Sequence, residues 1–127
     1  MNSANLLLAR ILLSFMFIMA GLQKFGDIAG TAGYISSVGL PGGTALAWLS
    51  AIFETLAGIA ILVGFQTRIT AYLLAAFCAF LAFMFHYAPA DMMQMMILSK
   101  DLTIAGGFLA LAVAGAGAYS VDARRGA

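Results

Sequence analysis

Among the ionisable side chains inside or at the edges of long apolar stretches, six have the types and positions that could do chemistry. They are Arg10, Lys24, Glu54, His86, Lys100 and Asp101. An ionisable group within an apolar span is costly unless it is paired or hydrated, so each one is a functional candidate. By their positions they form a deep pair and a cluster near one rim.

The deep pair is Arg10 and Glu54. Glu54 lies near the middle of its apolar stretch, about 15 Å from either end at about 1.5 Å per residue. Arg10 lies about one and a half turns inside the first stretch, and its long side chain can reach further. We predict an intramembrane Arg10–Glu54 ion pair. The simplest interpretation is that this pair links two helices structurally, and the alternative is that the two residues act together in catalysis.

The rim cluster consists of Lys24, His86, Lys100 and Asp101, which fall near the ends of three stretches. We predict that they line a shallow polar pocket that opens outward or sideways to lipid. The plainer interpretations are that His86 is an interfacial hydrogen-bonding residue and that Asp101 lies in the first turn of the last helix.

A quinone is the ligand whose chemistry such a pocket suits. It requires an apolar cleft and a donor to a carbonyl oxygen, which histidine or lysine can supply. Phe80, Phe83, Phe85 and Tyr87 lie close to His86 in the sequence and would add stacking surface.

Other cofactors have little support. The chain has one histidine and one cysteine, Cys78. Disulfide exchange within the chain and bis-histidine haem are therefore excluded. No cofactor motif is evident and we predict no metal site, so an electron carrier would have to come from a partner.

Composition places these residues in a membrane. Of 127 residues, 64% are hydrophobic and 9% are charged, whereas soluble domains carry about 25% charged residues. The net charge of +1 gives no reason to expect nucleic acid as a partner. Four apolar stretches approach the roughly 20 residues that cross a bilayer. They are Leu6–Phe25, Thr44–Phe65, Thr67–Tyr87 and Ile97–Tyr119.

The connections between these stretches predict one domain, residues 1–127, an all-α antiparallel bundle of four transmembrane helices. In the glycine-rich segment after the first stretch, Ala32, Ile35 and Val38 fall at helical spacing, which predicts a short interfacial helix. The second and third stretches are so close that they must form a tight hairpin. We predict a partly buried loop over Met92–Met96 before the last helix.

Charged and small residues indicate which face of each helix points into the bundle and how the bundle is oriented in the membrane. On every predicted helix the polar residues share a stripe with glycine, alanine or serine, the residues that pack membrane helices together. Four of the six basic residues collect at one end of the bundle, so the positive-inside rule predicts that both termini are cytoplasmic. These four are Arg10, Arg68, Arg124 and Arg125.

Several short motifs in a fixed order resemble the DoxX family of small bacterial inner-membrane proteins. They are Arg10, Gly21-Leu22-Gln23-Lys24, Gly39-Leu40-Pro41, Glu54-x-x-x-Gly58, Gly64-Phe65-Gln66-Thr67-Arg68, the stretch from Lys100 to Gly107 and the ending from Gly115 to Asp122. The resemblance covers nearly the whole chain, although Ala116 stands where many relatives have proline. It implies a four-helix inner-membrane fold. The family takes its name from a subunit of an archaeal thiosulfate:quinone oxidoreductase, and some members are linked to membrane redox complexes.

Three functions remain open. The first is an accessory or quinone-linked subunit that partners a membrane redox enzyme. The second is a module or enzyme that uses the rim cluster to bind a quinone, although no catalytic residue can be assigned. The third is a membrane scaffold, or a transporter of small molecules or ions that would have to form homo-oligomers to make a path.

Overall fold

The computed structural model describes residues 2–125, and within that range every regular element is a helix. The elements are α1 (Asn2–Gly26), α2 (Ile28–Ser37), α3 (Gly43–Val63), α4 (Thr67–Phe85), α5 (Met92–Ala114) and α6 (Val121–Arg124). Four of these, α1, α3, α4 and α5, are long and apolar enough to cross a membrane. The predicted all-α fold of four spanning helices is confirmed, and α2 is the predicted short helix.

The four spans pack as two pairs, α1 along α3 and α4 along α5. Gly21 shows how close the first pair is. A methyl group at Gly21 would lie 2.9 Å from the backbone nitrogen of Thr55 and 3.0 Å from the carbonyl oxygen of Ala51. Glycine is required at this position because the two backbones touch, as is usual between membrane helices.

Aromatic side chains join the two pairs in the core. Phe17 of α1 and Phe108 of α5 are almost fully buried, and their rings meet edge to face with centroids 5.5 Å apart. Leu74 and Ala75 of α4 belong to the same buried cluster. The small-residue faces of α1, α3 and α4 thus point inward, and most large apolar side chains point outward. On α5 the face with Lys100 and Thr103 is exposed, and Phe108 and Leu111 point inward instead.

A tight turn joins α3 to α4, as predicted. Gly64 ends α3 with φ +75°, and Gln66 precedes α4 with φ 48°. We call the end of the bundle with this turn and α6 the terminal end, and the opposite end the α2 end. Away from the turn, α3 and α4 pack on each other much less than α1 packs on α3.

The predicted loop over Met92–Met96 is wrong, because these residues form the start of α5. Asp91 caps the helix, since its Oδ1 accepts hydrogen bonds from the backbone nitrogens of Met93 (3.0 Å) and Gln94 (3.3 Å). An aspartate in this position stabilises a helix start, and methionine is a good helix former. Asp101 is consequently the tenth residue of α5 and not part of its first turn.

Candidate functional site

Arg10 lies at the terminal end, fully buried, where it binds backbone carbonyls. Its Nη1 donates to the carbonyl oxygens of Leu62 (2.9 Å) and Ile61 (3.5 Å), and its Nη2 donates to that of Tyr119. The last carbonyls of a helix have no partner within the helix. Arg10 therefore caps α3 and ties the C-terminal segment to α1.

The predicted Arg10–Glu54 ion pair is wrong. Glu54 lies two turns before Leu62, which is about 12 Å along the helix axis. The carbonyls at the end of α3 are nearer to Arg10 and accept from its Nη1, while the Tyr119 carbonyl accepts from its Nη2. Sequence reasoning placed both residues on inward faces but treated each helix end as if it had no polar groups of its own.

Asp122 and Arg68 act as further caps at the same end. Asp122 accepts hydrogen bonds from the backbone nitrogens of Gln66 (2.7 Å) and Thr67 (2.9 Å) at the start of α4. Arg68 Nη1 donates to the carbonyl oxygens of Ala112 (3.1 Å) and Val113 (2.7 Å) at the end of α5. The charged groups of the terminal end thus hold helix ends together.

The environment of Asp122 favours its charged form. Burial acts to raise the pKa of this carboxyl group. The hydrogen bonds from Thr67 and Gln66 and the nearby charge of Arg125 outweigh burial and lower the pKa of Asp122 below its usual value. This cap is therefore ionised at neutral pH.

Glu54 pairs with Lys24 instead of Arg10. Lys24 Nζ lies 2.6 Å from Glu54 Oε2. The Glu54 side chain is 3% exposed and that of Lys24 is 27% exposed. Lys24 lies three residues after Gly21, on the stretch of α1 that packs directly on α3, so its amine reaches the carboxylate from the α2 end.

A cavity of about 1030 Å³ opens beside this ion pair, between α3 and α4 and under α2. Protein sites for small ligands typically measure about 300–1,000 Å³ and have mainly apolar walls with a few polar groups. The cavity follows this pattern. Its lining includes Lys24, Tyr34, Ile35, Leu49, Ser50, Phe53, Glu54, Leu73, Ala76, Phe77, Phe80, Phe85 and His86.

His86 stands at the end of α4 and faces both the cavity and α5. Its backbone N–H bonds to the carbonyl oxygen of Ala82 (3.2 Å), which fixes where the side chain starts. Its Nδ1 lies 2.8 Å from Gln94 Oε1, and its Nε2 lies 3.7 Å from Asp101 Oδ2. Asp101 lies behind His86 and does not line the cavity.

The predicted rim cluster is thus divided between three environments. Lys24 and His86 both line the cavity, and Glu54 joins them there. Asp101 contacts the site only through His86. Lys100 is exposed and lies off the cavity wall. Sequence reasoning missed Gln94. Its position as a single amide among methionines was the signal that could have marked it as part of the site.

The residues of α2 were also missed as part of the site. Tyr34 stacks on Phe85 with ring centroids 5.4 Å apart, and its hydroxyl donates to the Phe85 carbonyl oxygen at 3.4 Å. Asp27 caps the start of α2 by accepting from the backbone nitrogen of Gly30 (2.9 Å). α2 is therefore fixed over the α2 end of the cavity.

The chain is similar in sequence to several known proteins. The model of the DoxX family matches residues 5–87. The chain belongs to the DoxX family. This DoxX protein is 43% identical over 122 residues to Inner membrane protein YqjF of Escherichia coli K12, a match that covers 96% of the chain and 92% of YqjF. It is 36% identical over 124 residues to Inner membrane protein YphA of the same strain, covering 94% and 89%.

A third relative carries a name that refers to a reaction. "Putative oxidoreductase CatD" of Bacillus subtilis strain 168 is 35% identical over 69 residues, which cover 54% of this DoxX protein and 50% of CatD. No solved structure matches the chain. The comparisons and the four spanning helices together establish an integral membrane protein of the DoxX family. In residues 2–125, no three histidine, cysteine or acidic side chains are grouped so that they could hold a metal ion.

Proposed function

We propose that this DoxX protein binds the head group of a membrane quinone in the cavity between α3 and α4, as a quinone-linked accessory subunit of a membrane redox system. The observation that carries the proposal is an aromatic-walled cavity of about 1030 Å³ with the amine of Lys24 and the imidazole of His86 on its lining.

The walls suit a flat, apolar ring. Phe53 and Phe77 meet edge to face across the α3–α4 cleft with centroids 5.1 Å apart, and Phe80 and Phe85 extend this surface towards His86. Such rings offer faces for stacking and exclude water from polar contacts.

Lys24 is the hydrogen-bond donor that the site positions for a ligand. Its ammonium group carries three hydrogens and no acceptor, and Glu54 engages it at 2.6 Å. A quinone carbonyl oxygen can accept one of the remaining hydrogens while the ion pair stays intact. Glu54 therefore acts as the positioning residue for Lys24.

The cavity is open to the side that faces lipid. Leu49 of α3 and Leu73 of α4 line it and are also 62% and 52% exposed on the outer surface of the bundle. A ligand dissolved in the bilayer can enter between these helices and leave its apolar tail in lipid. α2 covers the water-side end, so the geometry favours a lipid-soluble ligand.

Electron transfer is assigned to a partner. A chain with one histidine and one cysteine cannot supply the two histidines of a bis-histidine haem or the ligands of an iron–sulfur cluster. We assign to this protein the binding of the quinone and to a partner redox enzyme the supply of electrons. The name of CatD supports a link between the family and redox chemistry.

Quinone binding is expected to quench the fluorescence of Trp48, the single tryptophan, which lies on α3 next to Leu49. With a benzoquinone that carries one isoprenoid unit, quenching of purified protein in mild detergent should saturate. Ala76→Phe places a ring in the cavity and should weaken binding at least about tenfold, the effect of losing about 1.4 kcal/mol.

Ala110→Phe is the matched control, because Ala110 is exposed on α5 and lies outside the cavity. It should bind as tightly as the unchanged protein. Quenching that rises linearly without saturation, or that Ala76→Phe leaves unchanged, would contradict the proposal.

We further propose that both termini face the cytoplasm, in the inner membrane to which the names of the two Escherichia coli relatives refer. Arg68, Arg124 and Arg125 all lie at the terminal end, and basic residues concentrate on the cytoplasmic side. A reporter active only in the cytoplasm should be active when fused after the C-terminus. Activity only of a periplasmic reporter at that position would reverse the assignment.

A further inference from the structure

A second pocket, of about 340 Å³, lies at the terminal end of the bundle. Its lining includes residues 66–69 at the start of α4, residues 114–117 at and after the end of α5, and Asp122 of α6. None of these residues lines the cavity between α3 and α4. The pocket is therefore a separate site, and its charged lining residues are Arg68 and Asp122.

Arg68 reaches this pocket with part of its guanidinium group unused. Its Nη1 donates to the carbonyl oxygens of Ala112 (3.1 Å) and Val113 (2.7 Å). Within residues 2–125, its Nε and Nη2 make no hydrogen bond. These two nitrogens carry parallel N–H groups, an arrangement that can bind two oxygens of one phosphate group. Arg68 is thus held at the helix end by one nitrogen and has two donors left for a ligand.

Gly115 leaves this part of Arg68 uncovered. A β-carbon at position 115 would lie 3.1 Å from Arg68 Nη2 and 3.7 Å from Nε, and Gly115 itself lines the pocket. Its backbone angles, φ +82° and ψ −178°, belong to a region that is almost exclusive to glycine. The turn after α5 therefore places a residue without a side chain against the Nε–Nη2 edge, which keeps that edge open to the pocket.

The terminal end carries more positive than negative charge. Among residues 2–125 it contains four arginines and one acidic residue, which are Arg10, Arg68, Arg124, Arg125 and Asp122. Of the arginines, Arg68 lines the pocket, and the others add to the positive potential around it. This balance favours a ligand with a net negative charge.

Asp122 restricts which anion fits beside Arg68. Each of its carboxylate oxygens accepts one backbone N–H, from Gln66 at 2.7 Å and from Thr67 at 2.9 Å. A carboxylate has about four acceptor sites, so the pocket lining keeps acceptors that are free. Next to a phosphate bound by Arg68, these acceptors require a hydrogen-bond donor, and a hydroxyl group supplies one without adding charge.

The pocket borders the surface that faces lipid. Ile69 lines it and is 61% exposed, and Val113, whose carbonyl oxygen binds Arg68, is 70% exposed. Both residues lie near the ends of spanning helices, at the level where such helices meet the lipid head groups. A phosphate on Arg68 can therefore belong to a lipid whose acyl chains run along these side chains.

We propose that this pocket binds the head group of an anionic phospholipid such as phosphatidylglycerol. The phosphate lies on the Nε–Nη2 edge of Arg68, and a glycerol hydroxyl of the head group donates to Asp122. The site does not depend on the quinone cavity, because the two share no lining residue.

The first test compares two lipids with identical acyl chains, phosphatidylglycerol and phosphatidylcholine, on the unchanged protein. Native mass spectrometry of protein exchanged into lipid-free mild detergent measures how much of each lipid binds. Phosphatidylglycerol should bind at least about tenfold more tightly. The choline head group has no hydrogen to donate to Asp122 and gives the lipid no net charge.

The second test replaces the guanidinium group. Arg68→Lys keeps the positive charge but removes the paired N–H groups, and should weaken the binding of phosphatidylglycerol at least about tenfold. Arg124→Lys is the matched control, because Arg124 is exposed at the same end and lies outside the pocket. It should bind the lipid as the unchanged protein does.

Inorganic phosphate and glycerol phosphate, each added at the concentration of the lipid, distinguish a lipid from a soluble ligand, and neither should displace the lipid. Displacement by either one would assign the pocket to a soluble phosphate and overturn the proposal. Equal binding of the two lipids, or equal effects of Arg68→Lys and Arg124→Lys, would overturn it too. If Arg68→Lys does not fold, the lipid comparison and the competition on the unchanged protein decide.

Discussion

Arg10→Met is expected to lower the free energy of unfolding by about 3 kcal/mol or more. Hydrogen bonds from a charged donor contribute about 1.5–3 kcal/mol each, and the guanidinium group satisfies carbonyls of Leu62 and Tyr119 that have no other partner in the described structure. The Arg10 side chain is itself fully buried, which shelters these bonds from water. Stabilities of about 5–15 kcal/mol are usual, so this loss is a large share of the total.

Arg68→Met is the matched control for this experiment. Arg68 also binds two carbonyl oxygens at a helix end, but it is exposed, so water can replace its bonds. Its loss should cost about 1 kcal/mol. Unfolding titrations of both variants in mixed detergent micelles measure the difference. Equal effects of the two substitutions would contradict the assignment of Arg10 as a buried cap.

Lys24→Met is expected to have the second large effect, a loss of about 3 kcal/mol, because it leaves the Glu54 carboxylate buried without a counter-charge. Lys24 lies 2.6 Å from Glu54, whose side chain is only 3% exposed. Glu54→Gln should cost less, since a neutral amide tolerates burial better. The double variant Lys24→Met/Glu54→Gln should recover part of the loss seen in Lys24→Met.

A double-mutant cycle in the same unfolding titration gives the coupling between the two residues. We expect the double variant to be more stable than the sum of the single effects predicts. Strictly additive effects would show that the ion pair does not form. Arg10→Met combined with Glu54→Gln serves as the control cycle and should be additive, because those residues do not touch.

The long apolar stretches were enough to predict the four spans, because within a bilayer an α-helix satisfies its backbone hydrogen bonds internally. The inward faces of α1 and α3 also followed, since Arg10 and Glu54 share stripes with small residues and are buried. On α5 the prediction of an inward polar stripe is wrong, because Lys100 and Thr103 are exposed and the core is filled by larger apolar side chains. The start of α5 did not follow, because the Asp91 cap signal was outweighed by the expectation of a loop over Met92–Met96. An aspartate before an apolar run was the signal that could have given it.

The partners of the charged residues were harder to predict than their faces. A helical wheel places Arg10 and Glu54 on inward stripes, but it does not show the free carbonyls at the end of α3 that bind Arg10. It also does not show how far Lys24 can reach along α3. Ion pairing depends on the relative height of two packed helices, which the sequence does not specify.

The cavity itself lay beyond sequence reasoning. Its volume arises because α3 and α4 meet at the Gly64–Gln66 turn and separate towards the α2 end, where α2 covers the gap. Lys24 and His86 were both proposed for one pocket, and the structure brings them to the same cavity. Phe80 and Phe85 were predicted as stacking surface and line the cavity. The walls formed by Phe53 and Phe77 and the contact of Gln94 with His86 could only be seen once the helices were packed.

The central claim is that the cavity between α3 and α4 holds a membrane quinone, and native occupancy tests it most directly. Protein purified in mild detergent from membranes that contain quinone should be extracted with organic solvent and the extract analysed by mass spectrometry. We expect the unchanged protein and the Ala110→Phe variant each to retain quinone in proportion to the amount of protein. The Ala76→Phe variant should retain none. Equal amounts in all three proteins, or none in any, would contradict the claim.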